Sequence, residues 1–188
     1  VFVCSMADIF NEHVQPFWML LILGAIRANP QHTFMMLTKR PLCASKMLNG
    51  NSMFVVDPNK AEGWKFDCPP NLWLGVTVEN QDATHRIVTL QKTPSPVHFV
   101  SVEPMLGPVV LEREWLGKDR IAWVIAGGET GPRARPVNPD WVRALRDQCV
   151  SAGVPFFFKG WGRWVQNPSA AGRRMLDGRE WSEFPLVF

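Results

Sequence analysis

The chain alternates short apolar runs with segments of helical periodicity. Six apolar runs each end in polar or charged residues, and they cover residues 1–8, 33–40, 72–79, 97–104, 121–129 and 154–159. Short apolar runs bounded by turn signals are typical of strands that are buried on both faces of a parallel sheet. Because helical segments stand between them, the pattern predicts βαβ units with right-handed crossovers.

Four segments between or beyond these runs have helical periodicity together with a suitable start or stop signal: residues 14–28, 41–48, 82–92 and 138–153. The last of them is the clearest. Asn138 suits the N-cap, Pro139 suits the first helical position, and Gly153 suits the residue that closes the helix.

The predicted fold class is α/β, a partial TIM-like (β/α) barrel of about six parallel strands with helices outside. A full eight-unit barrel takes about 250 residues, whereas this chain has 188. We expect a barrel domain over residues 1–164, with a loop or insertion at 49–71, and a C-terminal extension over 165–188. Since the chain starts at Val1, inside an apolar run, we also expect it to be an N-terminally truncated piece of a longer protein.

Composition narrows the class of protein. A net charge of +3 permits an anionic ligand without requiring nucleic acid. The four cysteines are far apart in the sequence and form no CxxC pair, which disfavours a zinc site or a secreted disulfide framework. The longest apolar stretch, residues 17–26, is too short to span a bilayer. We therefore expect a cytoplasmic protein without a membrane segment.

The polar ends of the six runs carry the candidate chemistry. Strands of a parallel α/β sheet end on the same side, where ligand sites are built. We therefore expect one active-site mouth to collect the following residues: Asp8, Thr38, Lys39, Arg40, Thr77, Glu79, Ser101, Glu103, Glu129 and Lys159.

Catalytic roles are expected for Glu79, Glu103 and Lys159. Carboxylates that share a mouth raise one another's pKa, which suits acid–base work or a divalent metal. Lys159 follows an all-apolar strand, so we expect it to point into the mouth and to bind an anion or pair with Glu129. The alternative for each acid is a structural cap or an ion pair.

The motif Gly127-Gly128-Glu129 follows the apolar run that begins at Ile121, where glycine allows close backbone approach and amides that point outward. We assign Gly127, Gly128 and Glu129 to cofactor binding, together with Thr77 and Ser101. A plain βα turn is the alternative.

Substrate binding is expected at Asp8, Thr38, Lys39 and Arg40, because Arg40 offers a bidentate fork for a phosphate or carboxylate. The four histidines lack metal-ligand spacing, and no residue is assigned as a metal ligand.

Seven motifs, in this order along the chain, resemble one known family: residues 2–8, 38–41, 72–80, 99–108, 126–131, 135–141 and 155–162. This is a phage-associated family of unknown function, domain-of-unknown-function family 5131, named after phage gene products 37 and 68. The family is similar to radical S-adenosylmethionine enzymes, and the resemblance implies a partial parallel barrel. It also implies a mouth in which Glu79, Glu103 and Glu129 face S-adenosylmethionine or substrate.

The resemblance implies a [4Fe–4S] cluster and S-adenosylmethionine for the full-length protein, held in part by a cysteine motif upstream of Val1. No such motif occurs in these 188 residues, so we expect this fragment alone to bind no cofactor. Two alternatives stay open. One is a cluster-free barrel lyase or hydrolase with a divalent metal at Asp8, Glu79 and Glu103. The other is a nucleic-acid or protein-binding module that uses the basic, Trp-rich tail from Lys159 to Arg174. The substrate, a small molecule or a nucleic acid, and the oligomeric state stay open.

Overall fold

A computed structural model describes residues 1–49, 54–55, 63–64, 67–163 and 174–186. The helices are α1 (Pro16–Arg27), α2 (Pro41–Leu48), α3 (His85–Leu90) and α4 (Pro139–Ala152). The first five strands are β1 (Phe2–Val3), β2 (Phe34–Thr38), β3 (Phe54–Val55), β4 (Gly63–Trp64) and β5 (Leu72–Thr77). The others are β6 (His98–Val102), β7 (Ile121–Gly127), β8 (Phe156–Gly160), β9 (Met175–Leu176) and β10 (Arg179–Glu180).

Six strands form one sheet in the order β1-β2-β5-β6-β7-β8, which follows the order of the chain. The pairs β1–β2, β2–β5 and β7–β8 are parallel. A sequential order is that of a (β/α) barrel, whereas the strand order of a doubly wound sheet reverses at its switch point. The predicted fold class, a partial barrel of about six parallel strands with helices around it, is confirmed.

The chain divides into two compact units. Unit 1 comprises Val1–Val76 and Arg86–His98, and unit 2 comprises Thr77–His85 and Phe99–Phe188. The predicted boundary between a barrel domain and a C-terminal extension stays a prediction, and residues 165–173 and 187–188 of that extension lie outside the described residues.

In unit 1, β1 is much shorter than the apolar run that predicts it. The chain turns at Cys4, whose φ is 55°, and the Ala7 amide donates to the Cys4 carbonyl at 3.1 Å. This left-handed conformation ends the strand, since L-residues adopt it rarely and only singly. Helix α1 agrees with its prediction and buries Met19, Leu23 and Ile26.

The segment at 49–71 is only partly described. It contains the antiparallel pair β3–β4 and a bridge between Asn49 and Asp67, so it is more regular than the predicted loop. Near its end, the Asn71 side-chain amide donates to the carbonyls of Ile26, Asn29 and His32. Ile26 lies in the last turn of α1, and Asn29 and His32 lie in the loop that follows it, so the Asn71 side chain ties this loop to the start of β5.

In unit 2, strand β7 is buried at all seven positions. Helix α4 begins and ends as predicted. The Asn138 side chain accepts from the Asp140 amide at 2.9 Å, and Gly153 closes the helix at a φ of 67°. Among the described residues, no helix is both long and apolar enough to cross a membrane.

The C-terminal part of unit 2 covers the outer edge of β8. The Phe158 amide donates to the Trp181 carbonyl at 2.8 Å, and the Glu183 amide donates to the Phe156 carbonyl at 3.3 Å. The Trp181 ring is half-buried, with the Arg179 guanidinium 4.0 Å from its centroid. This segment therefore occupies backbone groups that an open strand edge would leave unpaired.

Candidate functional site

Unit 1 brings the four predicted substrate residues together in what we call the Asp8 cluster, consisting of Asp8, Thr38, Lys39 and Arg40. The Asp8 carboxylate accepts from the Thr38 hydroxyl at 2.9 Å and from the Lys39 amide at 3.1 Å. It also accepts from the Phe10 amide at 3.0 Å and the Arg40 guanidinium at 3.2 Å.

Four donors therefore surround one carboxylate, and only 17% of its side-chain surface is exposed. A carboxylate offers about four lone-pair sites, so Asp8 keeps little capacity for a ligand. The Asp8 cluster ties the residues that follow β1 to those that follow β2. Its geometry is that of a structural cap.

In unit 2, the predicted catalytic residues Glu103 and Lys159 form an ion pair. The Lys159 ammonium lies 2.7 Å from Oε2 of Glu103. Glu103 follows β6 and Lys159 belongs to β8, so the side chains meet beyond the end of the intervening strand β7. Lys159 thus pairs with Glu103, and the expected pairing of Lys159 with Glu129 is wrong.

Gly127, at the end of β7, makes this crossing possible. A Cβ atom built on Gly127 would lie 3.3 Å from Cγ, Cδ and Oε1 of Glu103, which is closer than most real contacts. The absence of a side chain lets the Glu103 carboxylate lie directly over the strand end. Gly127 therefore helps the Glu103–Lys159 pair to form, because it has no side chain that would occupy the position of the Glu103 carboxylate.

The loop after β6 is held by backbone hydrogen bonds. The Met105 amide donates to the Gly127 carbonyl at 2.9 Å, and the Leu106 amide donates to the Glu79 carbonyl at 2.8 Å. Glu79 is half-buried beside this loop, whereas Thr77 and Ser101 are buried at 4% and 3% exposure. The geometry brings Glu79 to this loop through its main chain and leaves Thr77 and Ser101 inside their strands.

The predicted cofactor motif lies in the loop after β7, and this loop packs directly against the loop after β8. The Gly128 amide donates to the Gly160 carbonyl at 2.9 Å, and the Arg163 amide donates to the Glu129 carbonyl at 3.0 Å. A Cβ on Gly128 would collide with the Trp161 carbonyl, and one on Gly162 would collide with the Glu129 carbonyl. The Gly128 amide therefore bonds a neighbouring loop, where the sequence suggested an amide aimed at a ligand.

Glu129 is engaged by a partner within its own loop. Its carboxylate accepts from the Arg135 guanidinium at 2.8 and 2.7 Å and from the Arg135 amide at 2.8 Å. These hydrogen bonds lower the pKa of Glu129 from its usual 4.5 to about 2. The carboxylate is thus kept ionised and tied to Arg135, away from Lys159.

A pocket of about 380 Å³ opens beside the Glu103–Lys159 pair. It is lined by Glu103, Gly128, Thr130, Lys159, Gly160, Trp161, Gly162 and Arg174. Sequence reasoning assigned no role to Thr130, and it considered Trp161 and Arg174 only as part of the basic, Trp-rich tail of the binding-module alternative. The sequence held one signal for Trp161: glycines stand on both sides of it at the end of a strand, as Gly127 and Gly128 stand at the end of β7.

The pocket keeps hydrogen-bonding capacity that the Asp8 cluster lacks. Within the described part of the chain, Oε1 of Glu103 accepts no hydrogen bond and Arg174 forms no ion pair. Lys159 is 52% exposed and uses one of its three donors on Glu103. An acceptor and several cationic donors therefore face the same space.

Among the described residues, no group of side chains fits an iron–sulfur cluster or a carboxylate metal site. Over the ranges that the structure describes, no three His, Cys, Asp or Glu side chains stand close enough to hold a metal ion. Cys149 is buried, and burial raises the pKa of its thiol and of the Cys68 thiol to about 12. Thiolate is the form that ligates iron, and these two cysteines disfavour it.

Comparison with protein families identifies the chain. The model of the family described as protein of unknown function (DUF5131) matches residues 1–185, and the chain belongs to that family. A search of the curated proteins and a search of the solved structures each found no match.

Proposed function

We propose that this chain is part of a radical S-adenosylmethionine enzyme of phage or prophage origin, with its ligand site in the pocket of unit 2. The observation that carries the proposal is the Glu103–Lys159 pair, which is open to a pocket at the carboxyl ends of β6 and β8. This is the end of a parallel sheet where α/β enzymes build their sites. The seven motifs shared with the radical-enzyme-like family add support for the reaction class.

S-adenosylmethionine bound to an iron–sulfur cluster supplies radical chemistry. The residues of this chain have a different task. Glu103, Lys159 and Arg174 bind and orient the polar part of the ligand, and the buried indole of Trp161 limits access of water. Two loops that are hydrogen-bonded to each other form the wall of the ligand site, which favours a preformed site.

The proposal places the cluster-binding cysteines in a segment outside these 188 residues. Cluster assembly needs at least three thiolates, and the four cysteines of the chain are not grouped. The experiment therefore requires the full-length gene product, reconstituted anaerobically with iron and sulfide.

We expect visible absorption of an iron–sulfur cluster and reductive cleavage of S-adenosylmethionine to 5′-deoxyadenosine. Glu103→Gln should leave the cluster content unchanged and lower the rate of cleavage at least about tenfold, because a charged hydrogen-bond partner is lost. Glu114→Gln, which removes an exposed carboxylate outside the pocket, is the matched control. A reconstituted protein with intact cysteines but no cluster absorption would refute the proposal.

A further inference from the structure

We infer that the exposed side of helix α1 is the interface of a twofold dimer, in which a second copy of this chain packs its own α1 antiparallel against it. This surface, which we call the α1 face, consists of Phe17, Trp18, Leu21, Gly24, Ala25 and Ala28. It belongs to unit 1, and the inference does not depend on the proposed function.

Helix α1 is apolar on both of its sides. Met19, Leu23 and Ile26 lie on the buried side, and the residues of the α1 face share the opposite side at helical spacing. The three large side chains of this face are between 53% and 56% exposed. Since a helix that is apolar all round is normally enclosed by protein, the α1 face has the character of a contact surface.

The α1 face carries no charge. From Pro16 to Ile26 the helix contains apolar residues alone, and Arg27 at its end donates to the Asp67 carboxylate at 2.8 Å and to the Asp67 carbonyl at 2.7 Å. Helices that lie on a lipid surface carry several Lys or Arg residues on a polar side, which α1 lacks. A protein surface of the same apolar character is therefore the better match.

Large and small side chains are separated along the α1 face. The large residues occupy its N-terminal half, and the small residues occupy its C-terminal half. A Cβ atom built on Gly24 would meet nothing within 4 Å, so the space above the small half is open. One half of the face therefore projects, and the other half leaves room for a projecting group.

An antiparallel pair fits each half of the face to the opposite half of a second copy. If the twofold axis passes through Leu21, Phe17 lies opposite Ala25 of the second copy. In the same register Trp18 lies opposite Gly24 of the second copy. A parallel pair would instead place Trp18 against Trp18 and leave a gap between the two glycines. Antiparallel helices also bring the ends of their macrodipoles together with opposite sign.

The size of the α1 face predicts a weak dimer. The helix has 12 residues, so it is about 18 Å long, and each half-exposed aromatic side chain offers roughly 100 Å² of apolar surface. The face is smaller than the roughly 800 Å² per partner of a standard stable interface. We therefore expect reversible association with a Kd of about 10–100 μM.

Sedimentation equilibrium of the purified chain measures this association directly. Leu21→Glu places two carboxylates against each other at the twofold axis, so we expect the Kd to rise at least about tenfold. Val150→Glu is the matched control, because Val150 is 55% exposed on another helix, α4, and it should leave the Kd unchanged. Circular dichroism and thermal unfolding establish that each variant is folded.

A size exchange tests the antiparallel register. Gly24→Trp sets one indole against Trp18 of the second copy, while its own chain has room for the new side chain, so the Kd should rise at least about tenfold. The double variant Trp18→Ala with Gly24→Trp exchanges the large and the small partner. It should return the Kd to within about threefold of the unaltered chain.

Four results would overturn the inference. They are a chain that stays monomeric up to about 500 μM, well above the expected Kd, a Val150→Glu variant that dimerises as weakly as Leu21→Glu, and a folded double variant that dimerises no more tightly than Gly24→Trp. The fourth is a monomer that binds phosphatidylcholine vesicles and loses this binding in Leu21→Glu, which would assign the α1 face to a lipid surface.

Discussion

The Asp8 cluster of unit 1 and the Glu103–Lys159 pocket of unit 2 each contain an acidic side chain paired with a basic one. In each, a carboxylate follows a parallel strand and meets a cationic side chain at 3.2 Å or less. Four donors occupy Asp8, among them the backbone amides of Phe10 and Lys39. Glu103 has one ion-pair partner and borders a pocket.

The difference shows what separates a structural acid from a candidate site residue. Both residues carry a carboxylate that comes after a strand in the chain, and both side chains are mostly buried. What differs is how much of each carboxylate's hydrogen-bonding capacity the protein itself uses. The turn at residues 8–10 and Lys39, the residue after β2, supply amides to Asp8, whereas Gly127 has no side chain to occupy the space beside Glu103.

Among the substitutions compared, one in the wall of the unit 2 pocket should lower stability most. In Gly128→Ala, the new Cβ atom meets the Trp161 backbone carbonyl, which cannot move without separating the two loops. We expect the free energy of unfolding to fall by at least about 3 kcal/mol, as measured by urea denaturation.

Gly24→Ala is the matched control for that substitution. A Cβ at Gly24 meets nothing within 4 Å, and the residue is exposed in the interior of α1. This change should stabilise the protein by about 0.5–1 kcal/mol. Equal effects of the two alanines would show that the packing of loop on loop does not matter.

Removing each acid tests the comparison directly. Asp8→Ala leaves the amides of Phe10 and Lys39 without their acceptor, so we expect the free energy of unfolding to fall by about 2–3 kcal/mol. Glu103→Ala should cost no more than about 1 kcal/mol, because its partner Lys159 is half exposed. Urea denaturation measures both, and the reverse ranking would contradict the assignment of roles.

A third substitution sharpens the comparison within the pocket. Gly127→Ala puts a Cβ 3.3 Å from the Glu103 side chain, which can shift by rotating its flexible end. We expect a stability loss of about 1 kcal/mol or less in urea denaturation, and several-fold slower cleavage of S-adenosylmethionine by the reconstituted full-length protein. Gly107→Ala, where the Cβ makes an ordinary 3.5 Å contact with Asn80, should leave the cleavage rate unchanged.

The smallest effect is expected from the Glu129–Arg135 bond. Since the pKa of Glu129 is lower in the folded state than its usual 4.5, the bond stabilises the fold fully above pH 4.5 and is lost as the pH falls through about 2. Glu129→Gln should therefore flatten the dependence of the thermal midpoint on pH between those values. Glu114→Gln should keep the slope of the unaltered protein, and an identical slope in both variants would contradict the prediction.

Much of the fold was readable from the chain itself. The apolar runs identify the strands, and Asn138, Pro139 and Gly153 define α4 through local backbone chemistry. The sequence also predicted that Asp8 lies near Thr38 and Arg40, because consecutive parallel strands end side by side. In the structure Asp8 reaches them from the turn that follows β1. Periodicity did not reveal the turn at Cys4, since a single left-handed residue leaves no pattern in an apolar run.

The partner of Lys159 was decided by the tertiary structure. Glu103 and Glu129 both follow apolar strands, so the chain offered two acids for one lysine. Arg135, six residues further along the chain, binds the Glu129 carboxylate. Gly127 has no side chain, so the Glu103 carboxylate can reach Lys159. Which acid pairs with Lys159 depends on how far each side chain reaches and on what blocks its way in three dimensions. Residue type and spacing along the sequence carry no information on either.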